Sequence, residues 1–138
     1  DSSHLPADSD GNYEAPNLWD GILDSMWCEG VEGDGNNEWV EFNFGRARSI
    51  SKLRVVNGNA YGLMWWMKSN RVLTARLEFS NGSSQEVALK NSIREQVVEF
   101  DPVTASKVRF QVTSVKQGNM ATKDPAYDCV CLSELKFE

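Results

Sequence analysis

An all-β fold, an antiparallel β-sandwich or jelly roll, is what this sequence predicts. Three observations carry that reading. Apolar residues alternate with polar ones in about seven or eight short runs. Turn chemistry separates the runs, and no stretch holds a convincing helical period. Side chains two apart share one face of a strand, so alternation of this kind buries one face and wets the other.

The runs follow in order. In "EWVEFNF" Val40, Phe42 and Phe44 share a face opposite Glu41 and Asn43. "KLRVV" sets Leu53 and Val55 against Lys52 and Arg54. "VLTARLEFS" turns Leu73, Ala75, Leu77 and Phe79 inward, and Asn81-Gly82 supplies a tight hairpin into "QEVAL" with Val87 and Leu89. "QVVEF" offers Val98 and Phe100, "KVRFQVTSV" offers Val108, Phe110 and Val112, and a last strand runs through Leu135 and Phe137. Two segments break the rhythm and are long enough to be functional loops, Gly58 to Arg71 and Lys116 to Asp128. Residues 1–12 are polar and aperiodic, which predicts a flexible leader, and residues 13–138 read as one domain.

Charge and composition exclude several functions. A formal net charge of −6 opposes any nonspecific hold on nucleic acid, whose phosphates this surface repels. The longest apolar run, "YGLMWWM", is too short to cross a bilayer, so no transmembrane segment is expected. The cysteines are Cys28, Cys129 and Cys131, with no CxxC pair, and the single histidine, His4, lies in the leader, so a structural zinc site is not expected. Cys28 could pair with Cys129 or with Cys131 in an oxidising compartment, or all three could be reduced.

The stretch "NLWDGILDSMW" places oxygen-bearing residues around an Asp-Gly turn that a hairpin alone would not need. Asp20 offers a carboxylate and Ser25 a hydroxyl, and the bent backbone can aim carbonyls from Asn17 and Ile22. Hard cations such as calcium collect about 6–8 such oxygens. A second carboxylate is available in "CLSELKF", at Glu134.

Read together and in order, "YEAPNLWDGILDSMW", "GDGNNEWVEFNF", "NG", "SNR" and "CLSELKF" resemble the discoidin-like, coagulation-factor type C superfamily. Within it the chain is most similar to the bacterial NADase-type glycan-binding domains, from Tyr13 to Phe137. The resemblance implies the galactose-binding-like jelly roll and a structural calcium where the first loop meets the last strand. It implies Asp20 and Glu134 as side-chain ligands, carbonyls from Asn17, Ile22 and Ser133, and both carbonyl and hydroxyl from Ser25, which stands where relatives usually carry Thr. Asn59 replaces a Tyr common after Asn57-Gly58, and Val72-Leu73 stand where Pro-Lys often follow Asn-Arg.

Sugars present apolar C–H faces rimmed by hydroxyls, and a site for them combines an aromatic platform with fixed polar groups. The first long loop has both, giving Asn59, Tyr61, Trp65, Trp66, Lys68, Asn70 and Arg71 as candidates, with Tyr127 of the second loop as an opposite rim. In an extended segment Trp65 and Trp66 would face opposite ways, exposing one of them. No positioned imidazole supports a nucleophilic triad, and "GDGNN" lacks the setting of a dinucleotide fingerprint. The expectation is therefore a non-catalytic carbohydrate-binding module, secreted or at a cell surface, whose partner is a glycan on a cell surface or a polysaccharide. A protein-binding adhesion module of the same fold is the alternative.

Overall fold

In the computed structural model, which describes residues 1–138, six antiparallel strands form one rolled sheet. They are β1 (Trp27–Cys28), β2 (Trp39–Asn57), β3 (Arg71–Phe79), β4 (Ser84–Ala88), β5 (Gln96–Lys116) and β6 (Cys131–Phe137), in spatial order β1-β6-β2-β5-β3-β4. A short helix, α1 (Leu63–Lys68), and 3-10 turns at Ala15–Trp19 and Pro125–Tyr127 complete the chain.

Two pairs of expected strands are fused. "EWVEFNF" and "KLRVV" are the two halves of the 19-residue β2, and "QVVEF" and "KVRFQVTSV" those of the 21-residue β5. The register of this pair shifts between Asn43 and Arg48 and again between Ile50 and Lys52. Bulges of this kind bend a strand without ending it, and polar residues at the bend imitate a turn in sequence. The halves then serve different neighbours: β6 pairs with β2 over Leu53–Asn57, while β3 pairs with β5 over Val108–Lys116. The roll buries a main core in which Val40, Leu53, Val55, Leu77, Phe110 and Leu135 are wholly enclosed, and a small second cluster of Met26 and the three cysteines. Burying side chains of this size contributes about 1.5–3 kcal/mol each.

The expected alternation holds with one slip. Ala75, Leu77 and Phe79 are buried, but Leu73 is only half-buried and Val72 takes the inward place. Register shifts on either side of Thr74 account for it, since an extra residue reverses the phase. The hairpin at Asn81-Gly82 forms, with Phe79 and Ser83 bonded across it and Gly82 at φ 87°.

Residues 1–12 depart from the flexible leader that composition suggests. Ser2 donates its amide to the Trp39 carbonyl (2.8 Å), Leu5 donates to Cys28 O (2.9 Å), and the Trp27 indole donates to Ser3 O (2.9 Å). Backbone pairing holds the segment, and Leu5 packs against the buried cluster of Met26, Cys28, Cys129 and Cys131. The segment passes so close to Gly30 that a Cβ there would stand 2.2 Å from the His4 carbonyl oxygen.

Candidate functional site

Both long loops meet at one end of the roll, where a cavity of about 670 Å³ opens. One wall is aromatic: Trp65 stacks on Tyr127 with ring centroids 6.2 Å apart and planes 28° from parallel, and Tyr61 lines the same space. Asn59 lines it too, its side-chain oxygen accepting from the Tyr61 amide at 3.2 Å. The N-terminal segment, Leu5 to Asp10, lines the cavity as well, together with Tyr13 and Asp24. Cys28, Cys129 and Cys131 form the floor.

The segment around Trp65 and Trp66 is helical rather than extended, and this changes the argument about which ring is free. Both tryptophans leave the core. Trp65 is 38% exposed and lines the cavity, whereas Trp66 turns back, donating from its indole to Asn57 O at 2.9 Å. Gly58, at φ 82°, makes this fold-back possible, since a Cβ there would lie 2.7 Å from the Trp66 ring.

Three of the expected ligand residues are therefore placed as supports. Trp66 is covered by the Arg71 guanidinium, 4.2 Å from its centroid. Arg71 is buried, donating through Nη1 to the carbonyls of Trp66, Met67 and Ser69 and through Nε to Asn91. It closes the end of α1, and burial lowers its pKa from the usual arginine range. Asn70 is fully buried; it donates to Asp34 O and Asp128 Oδ1 and accepts from the Gly118 amide, tying the second loop to the first. These polar side chains face inward because the loop backbone they hold would otherwise leave its carbonyls and amides unpaired. Lys68 keeps an intermediate position, its Nζ 4.8 Å from the Trp65 ring and 5.4 Å from Tyr127, and it lines a neighbouring hollow with Met64, Met67 and Met120.

The expected metal-binding residues lie at the side of the roll, where the loop after the first 3-10 turn meets β6. Ser25 Oγ donates to Asp20 Oδ2 (2.6 Å) and approaches Ile22 O (2.9 Å), while the Ile22 amide donates to Asp20 Oδ1 (2.8 Å). Glu134 reaches the same place: its pKa is raised above the usual carboxylate value by burial and then by the Asp20 charge, against the opposing pull of the Gly21 and Ile22 amides. Glu134 Oε1 is buried with no hydrogen-bond partner. Two carboxylates brought together around an orphaned oxygen are short of a cation, and an all-oxygen donor set suits a hard one. The other two expected ligands flank this point. Asn17 donates its amide to Asn12 O and Met26 O, and the Ser133 hydroxyl donates to Gly58 O and accepts from Ala60 N. Both side chains are thus occupied in holding the backbone, leaving their carbonyls for the role the resemblance implies.

Of the cysteine states that the sequence left open, one forms, and one buried carboxylate escaped the sequence reading. Cys28 and Cys131, directly opposite on β1 and β6, form a disulfide, and Cys129 is a buried free thiol whose pKa is pushed up to about 12 by burial and by Glu29 and Asp128. Glu29 itself is wholly buried, accepting from the amides of Val31 and Val130, and desolvation raises its carboxyl from 4.5 to about 7. Nothing in "WCEGVE" marks this glutamate as internal, because its partners are amides of its own bend and of a distant strand.

Solved structures share this architecture. The family 32 CBM from C. perfringens NanJ, in complex with galactose, has a TM-score of 0.62 at 17% identity, over 98% of this chain and 90% of that one. CpGH89CBM32-5 from Clostridium perfringens, in complex with GalNAc-β-1,3-galactose, reaches 0.70 at 15% identity, over 99% and 90%. Chitosan-binding module 1 of a chitosanase/glucanase from Paenibacillus sp. IK-5 reaches 0.65 at 17%, over 99% and 90%. At these identities the likeness is one of fold. No curated protein matches the chain. The family model described as the NAD glycohydrolase translocation F5/8 type C domain matches residues 1–138, and the chain belongs to that discoidin-like family.

Proposed function

We infer that the protein is a non-catalytic carbohydrate-binding module whose glycan enters the cavity beside Trp65. The observation that carries this reading is the stacked Trp65–Tyr127 wall, with Tyr61 beside it, lining a cavity of about 670 Å³. Pockets of about 300–1,000 Å³ suit small ligands or the end of a chain. The aromatic faces would meet sugar C–H groups, while Asn59 and the ring hydroxyls would meet the rim. That modules of the same fold are solved with galactose and GalNAc-β-1,3-galactose supports it.

The same reading includes a structural calcium held by the carboxylates of Asp20 and Glu134, by Ser25, and by carbonyls of Asn17, Ile22 and Ser133. The ion would supply charge neutralisation, joining the first loop to β6. The buried, unpartnered Glu134 Oε1 supports it. A secreted or cell-surface location is supported by the Cys28–Cys131 disulfide, which persists in oxidising compartments.

Binding across a glycan array tests the function. Reproducible glycan binding that Trp65→Ala lowers by about tenfold or more is the expected outcome, with stacked aromatic platforms contributing on the order of 1–3 kcal/mol. The second reading, a protein partner, draws on the exposed Leu63 and Met64 of α1, 60% and 67% accessible. Silence across a broad array would transfer the function to that face.

A further inference from the structure

Spacing along the chain hides a cluster that the fold assembles. No cysteine pair has CxxC spacing, yet the Sγ atoms of Cys28, Cys129 and Cys131 all lie within 4.8 Å of one another, and all three residues are buried. Strand pairing brings this about: Cys28 of β1 is the register partner of Cys131 of β6, and Cys129 stands in the stretch that enters β6. The Cys28–Cys131 bridge uses two of these sulfurs and leaves Cys129 as a thiol beside them.

The gathering does not depend on the bridge. Cys28 is held on both sides of its backbone, donating to Tyr13 O at 3.3 Å and accepting from the Leu5 amide at 2.9 Å. Cys131 donates to Asn70 O at 3.5 Å and accepts from the Gly58 amide at 3.0 Å, and Cys129 O accepts from the Asn70 amide at 3.1 Å. Asn70 is fixed in turn through its side chain, by Asp34, Asp128 and Gly118. Opening the S–S bond therefore leaves three thiols anchored around one point.

Three thiolates at one point are the donor set of a soft cation. Zinc–sulfur bonds of about 2.3 Å set sulfurs about 3.8 Å apart around a tetrahedral ion. The separations present, all within 4.8 Å, already span that value. The cysteines also form the floor of the cavity, which supplies an entry path and water for the fourth position. No lysine, arginine or histidine lines that cavity to oppose an entering cation.

We propose that Cys28, Cys129 and Cys131 form a metal site, separate from the oxygen-lined loop at Asp20, that takes a soft cation of the zinc class once the Cys28–Cys131 bond is reduced. A dithiol supplies the two electrons and two protons that convert the bridge to thiols, itself closing to a disulfide, and the cation then displaces the thiol protons. The same residues make a bridge and a thiol where the surroundings oxidise, and a thiolate site where they reduce.

The full chain tests this after dithiol reduction and anaerobic removal of the reductant. Titrated with cobalt(II), the reduced protein is expected to develop a thiolate-to-metal charge-transfer band in the near ultraviolet. The band should saturate at about one ion per chain and disappear when zinc is added. The bridged protein should show no such band. Zinc should raise the melting midpoint of the reduced protein, because it binds the folded chain. Cys129→Ser keeps the Cys28–Cys131 pair for folding. After reduction it should bind zinc at least about tenfold more weakly, since loss even of residues behind the ligands costs about 10–100-fold. No charge-transfer band, a band of equal affinity in Cys129→Ser, or a reduced chain whose midpoint zinc does not raise overturns the proposal.

Discussion

Glu29 has no cation beside it, and its behaviour follows from that. Glu38 and Asp128 add like charge to the cost of burial, and only the amides of Val31 and Val130 oppose it. The folded state therefore holds the proton more tightly than the unfolded chain does. Stability is fully present below about pH 4.5 and is given up as the pH rises through about 7, the window set by the ordinary and the shifted values. Thermal midpoints recorded across that range should fall with rising pH, and Glu29→Gln should flatten the fall. The thiols make a second check at this scale. Denatured without reductant the protein should expose one reactive thiol, Cys129, and after reduction three. Three before reduction would remove the bridge.

Among the elements, the loop that carries α1 shows what sequence could and could not convey. The strand faces were legible because burial follows a period of two, and Leu53, Val55, Val108, Phe110 and Val112 all lie where alternation puts them. The fusion of the strands was not, because Gly45 and Arg46 at the bend of β2 read equally as a turn. Tyr61, Trp65 and Tyr127 were legible as loop aromatics. Trp66, Asn70 and Arg71 have the same chemistry but serve the loop itself, and only their partners reveal this: an indole bonded to Asn57, an amide to Asp34, a guanidinium to three carbonyls. Three substitutions separate these roles. Arg71→Ala should lower stability by about 3 kcal/mol, since it leaves buried carbonyls unpaired. Gly58→Ala should cost about 1–3 kcal/mol, through its φ of 82° and collision with Trp66. Trp65→Ala should leave the melting midpoint nearly unchanged. The proposed calcium belongs here as well, since it would join a loop to a strand. A chelator should lower the midpoint, and Asp20→Ala should abolish that response. A midpoint indifferent to chelator would leave Glu134 Oε1 as a buried oxygen without a cation.

The whole molecule is built from pairings between distant residues. Trp39 lies opposite Gln111, Leu53 opposite both Val98 and Phe137, and the Glu138 amide and carbonyl both bond to Lys52. Few of these contacts can form before the middle of the chain has been made and brought round. Topologies of this kind collapse and zip over milliseconds to seconds rather than microseconds. The Cys28–Cys131 bridge spans a separation of 103 residues, and its partners meet only when β1 reaches the edge of β6. Until then the chain has three sulfur atoms and no geometric rule for choosing two. Oxidative refolding should therefore pass through Cys129–Cys131 isomers, neighbours in sequence, before the native link wins. A Cys129→Ser chain, with that wrong partner deleted, should mature faster.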